Sequence, residues 1–303
     1  MIESEIPMEP ITMRAAKLVA RMLPMGRATV LRRTADILRC PREFLAVCGD
    51  FKVLVDIDDI VSCTLYNYGV FEPAVTDILA ALIKPGDTVF DVGANFGLYT
   101  LLAARQCGSE GKVYAFEPDP RNIARLRTNV QANDWTWINI VPKGLYDHAG
   151  TQEFFPANKN GKNLGTSSLI GNATGQKGLE IELTTVDEFT ASQGVKRINV
   201  LKMDIEGAEL GALRGATTSL QKQIIDRILL EFHPSILGAE KSVEIFDLLS
   251  SCGYRGWYLR ESGAQRYADV AEAIDPVGIR LDVDRMRHEP HVLFSANDAA
   301  LWE

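Results

Sequence analysis

"VFDVGANFGLYTLLAA", Val89 to Ala104, is the stretch on which the fold turns. A short apolar, strand-like run breaks at two glycines that flank an asparagine, then resumes with the apolar content of a helix. A strand, a glycine-bearing turn and a helix in that order open a βαβ unit, and ligands of open parallel sheets sit at the carboxyl ends of the strands. The question the stretch raises is whether this bend holds a nicotinamide dinucleotide, a nucleotide phosphate or a third kind of ligand.

Outward from the bend, strands and helices alternate. "KVYAFEPDP" reads as a second strand ending at Glu117, "PRNIARLRTNVQAN" as a helix, "WINIVPKGLY" as a third strand. Ile181 to Leu183 and "INVLKMDIEGAE" lead to a strand ending at Asp204, and "RILLEFHP" gives another whose apolar residues stop at Glu231 and His233. That alternation is the pattern of an α/β fold with a largely parallel sheet. Ahead of it lie a short strand at Phe51 to Val55, an irregular segment carrying Tyr66 and Tyr68, and a helix near Pro73 to Ile83.

Composition sets limits. A chain of 303 residues that is 46% hydrophobic can bury a sizeable core. Its net charge of −8 argues against general nucleic-acid binding, which needs a basic surface to neutralise phosphates. Five cysteines without a CxxC pair read as scattered thiols and not as a disulfide framework or zinc site. With no apolar stretch long enough to span a bilayer and no secretory-signal pattern, the expected location is the cytoplasm.

Gly93 and Gly97 let the backbone turn sharply, Asp91 precedes the turn, and Glu117 at the next strand end can accept both hydroxyls of a ribose. The three-glycine spacing of a nicotinamide site is absent, and no Lys-Ser/Thr pair follows as in a phosphate loop. The turn therefore suits a ligand with amino-acid, ribose and adenine parts, S-adenosylmethionine, with a dinucleotide as the alternative.

Six stretches, "VFDVGANFGLYT", "VYAFEPDPRNIARLRTNV", "VPKGLYDHAGTQEF", "TSSLI", "TTVDEF" and "LKMDIEGAELGALRGA", together resemble the FkbM family of S-adenosylmethionine-dependent methyltransferases over roughly Tyr66 to Pro234. The resemblance implies a Rossmann-like class I methyltransferase fold: a seven-stranded, mostly parallel sheet with one reversed strand and helices on both faces. The last two strands are expected at Trp257 to Leu259 and His291 to Ser295. It also implies methyl transfer to a hydroxyl oxygen of a small acceptor such as a sugar, glycolipid or polyketide. In that reading Asp91, Gly93, Asn95 and Gly97 form the methionine-end loop, Glu117 holds the ribose, and Asp119, Leu145, Tyr146 and Asp147 flank the adenine.

The chemistry is expected where the fourth strand ends. A hydroxyl must lose or share its proton to attack a methyl group, and "LKMDIEGAE" offers Lys202, Asp204 and Glu206, with Glu209 set to cap the following helix. His233 is a candidate base or acceptor orienter. The same carboxylates and imidazole would suit a magnesium ion, although a metal-free site is the preferred reading. Tyr66, Tyr68 and Phe71 are candidates for the acceptor pocket. Residues 156–178, rich in Gly, Asn, Ser and Lys, read as a mobile substrate cover that brings in Ser167 and Ser168.

Residues 1–45 read as a helical extension and 46–303 as the methyltransferase domain. Met13 to Arg39 carries seven Arg/Lys against one Asp between apolar residues at helical spacing, two helices broken near Pro24. An anionic membrane surface or a second copy of the chain are its candidate partners. Two rival functions stay open at this point: a nicotinamide-dependent oxidoreductase, and a domain that binds S-adenosylmethionine without catalysis.

Overall fold

A computed structural model describes residues 6–22, 26–155, 178–232, 234–259, 271–273 and 290–296. The expectations placed on Ser167, Ser168, the cover segment and His233 fall outside these residues.

The chain enters through two helices, α1 (Ile11–Arg21) and α2 (Arg27–Leu38), and a hairpin of β1 (Glu43–Cys48) and β2 (Phe51–Asp56). Gly49, at a left-handed φ of 64°, makes the two-residue turn between these strands, so β1 spans residue 45. The segment expected to be irregular is helix α3 (Ile60–Tyr68). Its β-branched and aromatic residues are weak helix formers, but the ends are well capped. The Asp59 carboxylate accepts from the Ser62 N–H at 2.9 Å, and Gly69 terminates the helix in the left-handed region.

Helix α4 (Pro73–Leu82) then leads into the alternating part of the chain. It runs β3 (Thr88–Val92), α5 (Leu98–Cys107), β4 (Lys112–Phe116), α6 (Pro120–Asn133) and β5 (Ile138–Val141). Three short strands follow, β6 (Gly144–Leu145), β7 (Gly150–Phe154) and β8 (Leu179–Thr184), which pair with one another in a small separate sheet. The main sheet resumes with α7 (Val186–Gln193), β9 (Ile198–Met203), α8 (Glu209–Arg214), α9 (Thr217–Gln221), β10 (Ile225–Glu231) and α10 (Pro234–Ser251). Strands β11 (Arg255–Leu259), β12 (Ala271–Ala273) and β13 (His291–Ser295) complete it.

The main sheet has the order β12-β11-β13-β10-β9-β3-β4-β5. From β5 to β11 it is the expected seven-stranded sheet in which only β13 is reversed, and β12 adds a short antiparallel edge. Chain order reverses on the two sides of β3, which places the switch point, and with it the crevice, beyond the ends of β3 and β9.

Strand parity divides the core. Val89, Val113, Val200, Leu229 and Leu293 pack with α4 and α5, while Phe90, Val92, Leu201, Met203, Ile228 and Phe294 pack with α8 and α10. On the first of these faces the apolar row gives way, two residues on along the strands, to Asp91, Lys202, Glu231 and His291. Asp91 is in register with Lys202, and Glu231 with His291.

The ends of β3 and β9 are pressed together. Asp204 N–H donates to the Val92 carbonyl at 3.1 Å, and a Cβ on Gly93 would lie 1.9 Å from the Asp204 carbonyl oxygen. Gly93 also sits at φ 80°, a conformation costly for any L side chain. Gly93→Ala is therefore expected to cost roughly 3 kcal/mol of stability, as measured by urea unfolding. An unchanged midpoint would show that the two strand ends do not meet this closely.

Candidate active site

The strand ends open into one cleft of about 1100 Å³, its mouth included, lined by residues of every segment around the switch point. One half is built from Gly93, Ala94, Asn95, Phe116, Glu117, Pro118, Asn122, Lys143, Gly144, Leu145 and Phe154, the other from Val61, Phe71, Glu72, Tyr99, Lys202, Asp204, Ile205, Glu206 and Glu231.

In the first half four N–H groups of the turn after β3 are already engaged within the protein. The Gly93 and Ala94 N–H groups donate to the Phe116 carbonyl, the Gly97 N–H to the Ala94 carbonyl, and the Asn95 N–H to Glu117 Oε2 at 2.8 Å. These four donors are not free for a pyrophosphate. Gly97 has a packing reason instead: a Cβ there would come within 2.4 Å of Leu126 Cδ1.

Acceptors remain available. The buried Asn95 Oδ1 has no hydrogen-bond partner among the described residues. Glu117, held by the N–H groups of Asn95 and Asp119 at 2.8 Å each, keeps lone pairs for further donors. Burial pushes its carboxyl up to about 7 against the pull of those two backbone bonds.

Asp91 is fully buried behind the turn, accepts from Thr100 Oγ1 at 2.5 Å, and leaves its other oxygen unpartnered. Burial raises its pKa, although Lys202 opposes the shift.

The second half centres on Lys202. Its ammonium lies 3.4 Å from Asp204 Oδ2 and 4.8 Å from the centre of the Tyr99 ring. Burial pulls its pKa down, but Asp204, Asp91, Glu231 and Glu72 together outweigh burial and hold it above the ordinary lysine value. Lys202 is thus a permanent cation and not a proton acceptor near neutral pH. The Tyr99 hydroxyl donates to the Glu72 carboxylate. His291 Nε2 lies 3.5 Å from Glu231 Oε2 and 3.9 Å from Glu72 Oε2.

Of the residues singled out from sequence, Gly93, Asn95, Glu117, Leu145, Lys202, Asp204 and Glu206 come together on the cleft wall, as does Phe71. Others do not line it. Tyr66 is wholly buried in the core, its hydroxyl on the Glu9 carboxylate and its ring under Lys17. Helix α3 turns that residue toward the N-terminal helices and leaves Tyr68 half exposed beneath Arg27. The acceptor-pocket expectation for both tyrosines is corrected accordingly.

Asp119 caps α6, accepting from the Arg121 N–H at 2.8 Å and from its guanidinium. Tyr146 is packed so tightly on α8 that a Cβ on Gly211 would meet its ring at 2.2 Å, and Asp147 is exposed and bonded to His148. Glu209 does serve the turn it follows, accepting from the Ile205 and Gly207 N–H groups at 3.2 Å.

Glu72, Tyr99 and Asn122 escaped the sequence reading, which placed His291 only as the start of the last strand. Glu72 and His291 reach the site through long-range pairing that spacing does not reveal. Tyr99 lies inside the opening motif at a helical position that also suits a core residue.

A model of the methyltransferase FkbM domain matches residues 91–255, more than half of the chain and all of the cleft's strand ends. The chain belongs to the FkbM family of S-adenosylmethionine-dependent methyltransferases. Among its relatives are a hexuronic acid methyltransferase, AglP, of Haloferax volcanii, 30% identical over 54% of this chain and 64% of that protein, and the 2-O-methyltransferase NoeI of Sinorhizobium fredii, 26% identical over 48% and 63%. The 31-O-demethyl-FK506 methyltransferase FkbM of Streptomyces tacrolimicus is 31% identical over 44% and 60%. The chain thus matches somewhat under two thirds of the length of each of these relatives.

The cleft fits the family's cofactor on its own chemistry. Asn95 Oδ1 and the Glu117 carboxylate are acceptors for an ammonium and for ribose hydroxyls, and Phe116, Pro118, Leu145 and Phe154 offer apolar walls for an adenine.

Because Glu117 accepts best when ionised and its pKa is raised to about 7, affinity for S-adenosylhomocysteine should be constant above that pH. Below it, affinity should weaken by about tenfold per pH unit. Calorimetry across pH 5 to 9 checks this, and Glu117→Ala should flatten the profile. A wild-type profile flat to pH 5 would remove Glu117 from the ribose contact.

Proposed function

We propose that this protein transfers a methyl group to a hydroxyl oxygen of a small acceptor, of the class that includes sugars, glycolipids and polyketides. The observation that carries the reading is a single cleft in which the glycine turn and a ribose-type carboxylate adjoin Lys202, Asp204, Glu206, Glu72 and Tyr99. The relatives support it: two are named for an oxygen position and one for a sugar acid.

S-adenosylmethionine, when bound, supplies the electrophilic methyl group. Asn95 and Glu117 orient it from one half of the cleft. In the other half Asp204, at the strand end and partly open to solvent, takes the proton of the acceptor hydroxyl on a carboxylate oxygen as the oxygen attacks. Lys202 stays protonated and pairs with Asp204. Glu206, in a left-handed turn at φ 52° before Gly207 at φ 98°, lines the cleft and positions the acceptor. His233 remains a candidate orienter, and Phe71 with Val61 gives the acceptor an apolar wall.

Asp204→Asn should leave S-adenosylhomocysteine binding within about threefold and lower turnover by 10² to 10⁴, the range for a lost general base. Calorimetry and a methyl-transfer assay against a panel of hydroxylated acceptors separate the two effects. Binding without turnover of any acceptor by the wild type would favour the non-catalytic reading, and NADH binding in place of S-adenosylhomocysteine would favour the oxidoreductase.

We further propose that the N-terminal helices dock on an anionic membrane surface. Helix α1 buries Met13, Ala16 and Ala20 and turns Ile11, Leu18, Val19 and Met22 outward, at 83%, 63%, 57% and 85% exposure. Basic residues flank that stripe on a chain of net charge −8, a separation of charge that complements acidic lipid headgroups. No helix of the described residues is long and apolar enough to cross a membrane. Sedimentation with vesicles containing phosphatidylglycerol should carry the protein down, and phosphatidylcholine vesicles should not. Leu18→Glu with Met22→Glu should abolish binding. A dimer in analytical ultracentrifugation with no vesicle binding would overturn the proposal.

A further inference from the structure

Three side chains at the acceptor end of the cleft come from three distant parts of the sequence. Glu72 precedes α4, Glu231 ends β10, and His291 begins β13. One ligand-type atom from each lies within 4.8 Å of the other two, with Nε2 of His291 at 3.5 Å from Glu231 Oε2 and 3.9 Å from Glu72 Oε2. Around a hexacoordinate divalent ion, neighbouring donors sit roughly 3 Å apart, so each carboxylate oxygen needs to close on the imidazole by less than an ångström.

Their placement is not that of a surface acidic cluster. Glu231 and His291 are paired in register between two central strands, so their backbones cannot drift apart. The imidazole is 3% exposed and points its Nε2 between the two carboxylates, which alone of the three side chains line the cleft. The buried wall of the trio is thus an imidazole, and its open side is the cleft. Glu72 is further fixed by the hydroxyl of Tyr99, an arrangement that orients a carboxylate much as partners behind a metal ligand do.

We propose that Glu72, Glu231 and His291 bind a divalent cation of the manganese or magnesium type at the acceptor end of the cleft. Two carboxylates and one imidazole match the ligand preference of such ions, the imidazole tilting the choice toward manganese. Three protein ligands on one side leave the cleft side of the ion open to oxygen atoms of an acceptor. Binding of the ion depends on these three residues alone. Its role in holding a hydroxylated acceptor rests on the methyltransferase reading given above.

Titration of the metal-free protein with Mn²⁺, followed by loss of the aqueous Mn²⁺ electron paramagnetic resonance signal, tests the site. One site is expected in the wild type, weakened by about tenfold or more in Glu231→Gln and in His291→Asn and unchanged in the surface control Glu180→Gln. Circular dichroism establishes that each variant is folded. If the two strand variants do not fold, Glu72→Gln, at the cleft edge, carries the test with the same expected loss. No binding by the wild type, or binding that all the variants share, overturns the proposal. Calorimetry with S-adenosylhomocysteine on the same samples keeps the two readings apart, since Mn²⁺ binding without cofactor binding would uphold the metal site while removing the methyltransferase reading.

Discussion

One buried ammonium organises the strand ends. Lys202 sits 4% exposed in the middle of a parallel sheet, where an unpaired charge would cost several kcal/mol. It is tolerated because Asp204 lies 3.4 Å away and Asp91 is opposite it in register. The dependence is mutual. Asp91 is buried and keeps one oxygen without a hydrogen bond, so removal of Lys202 would leave a buried carboxylate to the Thr100 hydroxyl on its other oxygen. A cation between two carboxylates from adjacent strands also ties together the ends of β3 and β9, the two segments that supply the turn and the acid loop of the cleft.

The same row accounts for the polarity of the cleft. Residues of one parity on β3, β9, β10 and β13 are apolar where helices α4 and α5 cover them and become Asp91, Lys202, Glu231 and His291 where that cover thins out. Residues of the other parity stay apolar to the strand ends, with Val92 and Met203 packed beneath α8 and its neighbours. The site is therefore not grafted on by loops alone. It is the continuation of one face of the sheet past its helices, and loops add the turn after β3, Phe71 and Glu72, the segment around Glu117, Lys143 and the residues after Asp204 to it.

This division explains what the sequence disclosed. Alternating strands and helices, the ends of β4, β9 and β10, helix α6 to the residue, and the grouping of Asn95, Glu117, Lys202 and Asp204 follow from local pattern, because each lies in or directly after a strand whose apolar run stops there. The third strand, by contrast, was expected to run on to Tyr146 but ends at Val141, and its last residues join a separate sheet as β6. The reversed strand β13 was also legible in outline. What spacing could not supply was contact across the fold. Helix α3 was hidden by residues with poor helix propensity whose caps, Asp59 and Gly69, outweigh them. Tyr66 and Tyr68 point where α3 aims them, not where aromatic residues near a pocket would be useful. Glu72 and His291, 219 residues apart in sequence, meet only because β13 is inserted beside β10.

The glycines of the opening turn show how a packing constraint can decide ligand chemistry. Gly93 is needed because the backbone of β9's exit passes where a side chain would be, and Gly97 because Leu126 occupies the next position. The turn so placed also lies against the end of β4, where three of its N–H groups find acceptors within the protein, two on the Phe116 carbonyl and one on Glu117. Those three donors are spent within the protein and are not offered to a phosphate. What the turn presents to the cleft is the reverse, the side-chain oxygen of Asn95 and the carboxylate it has oriented in Glu117, which are acceptors for ligands that donate. The preference for an ammonium and a ribose over a pyrophosphate then follows from how closely two strands approach, with no direct contact between either glycine's missing side chain and the ligand.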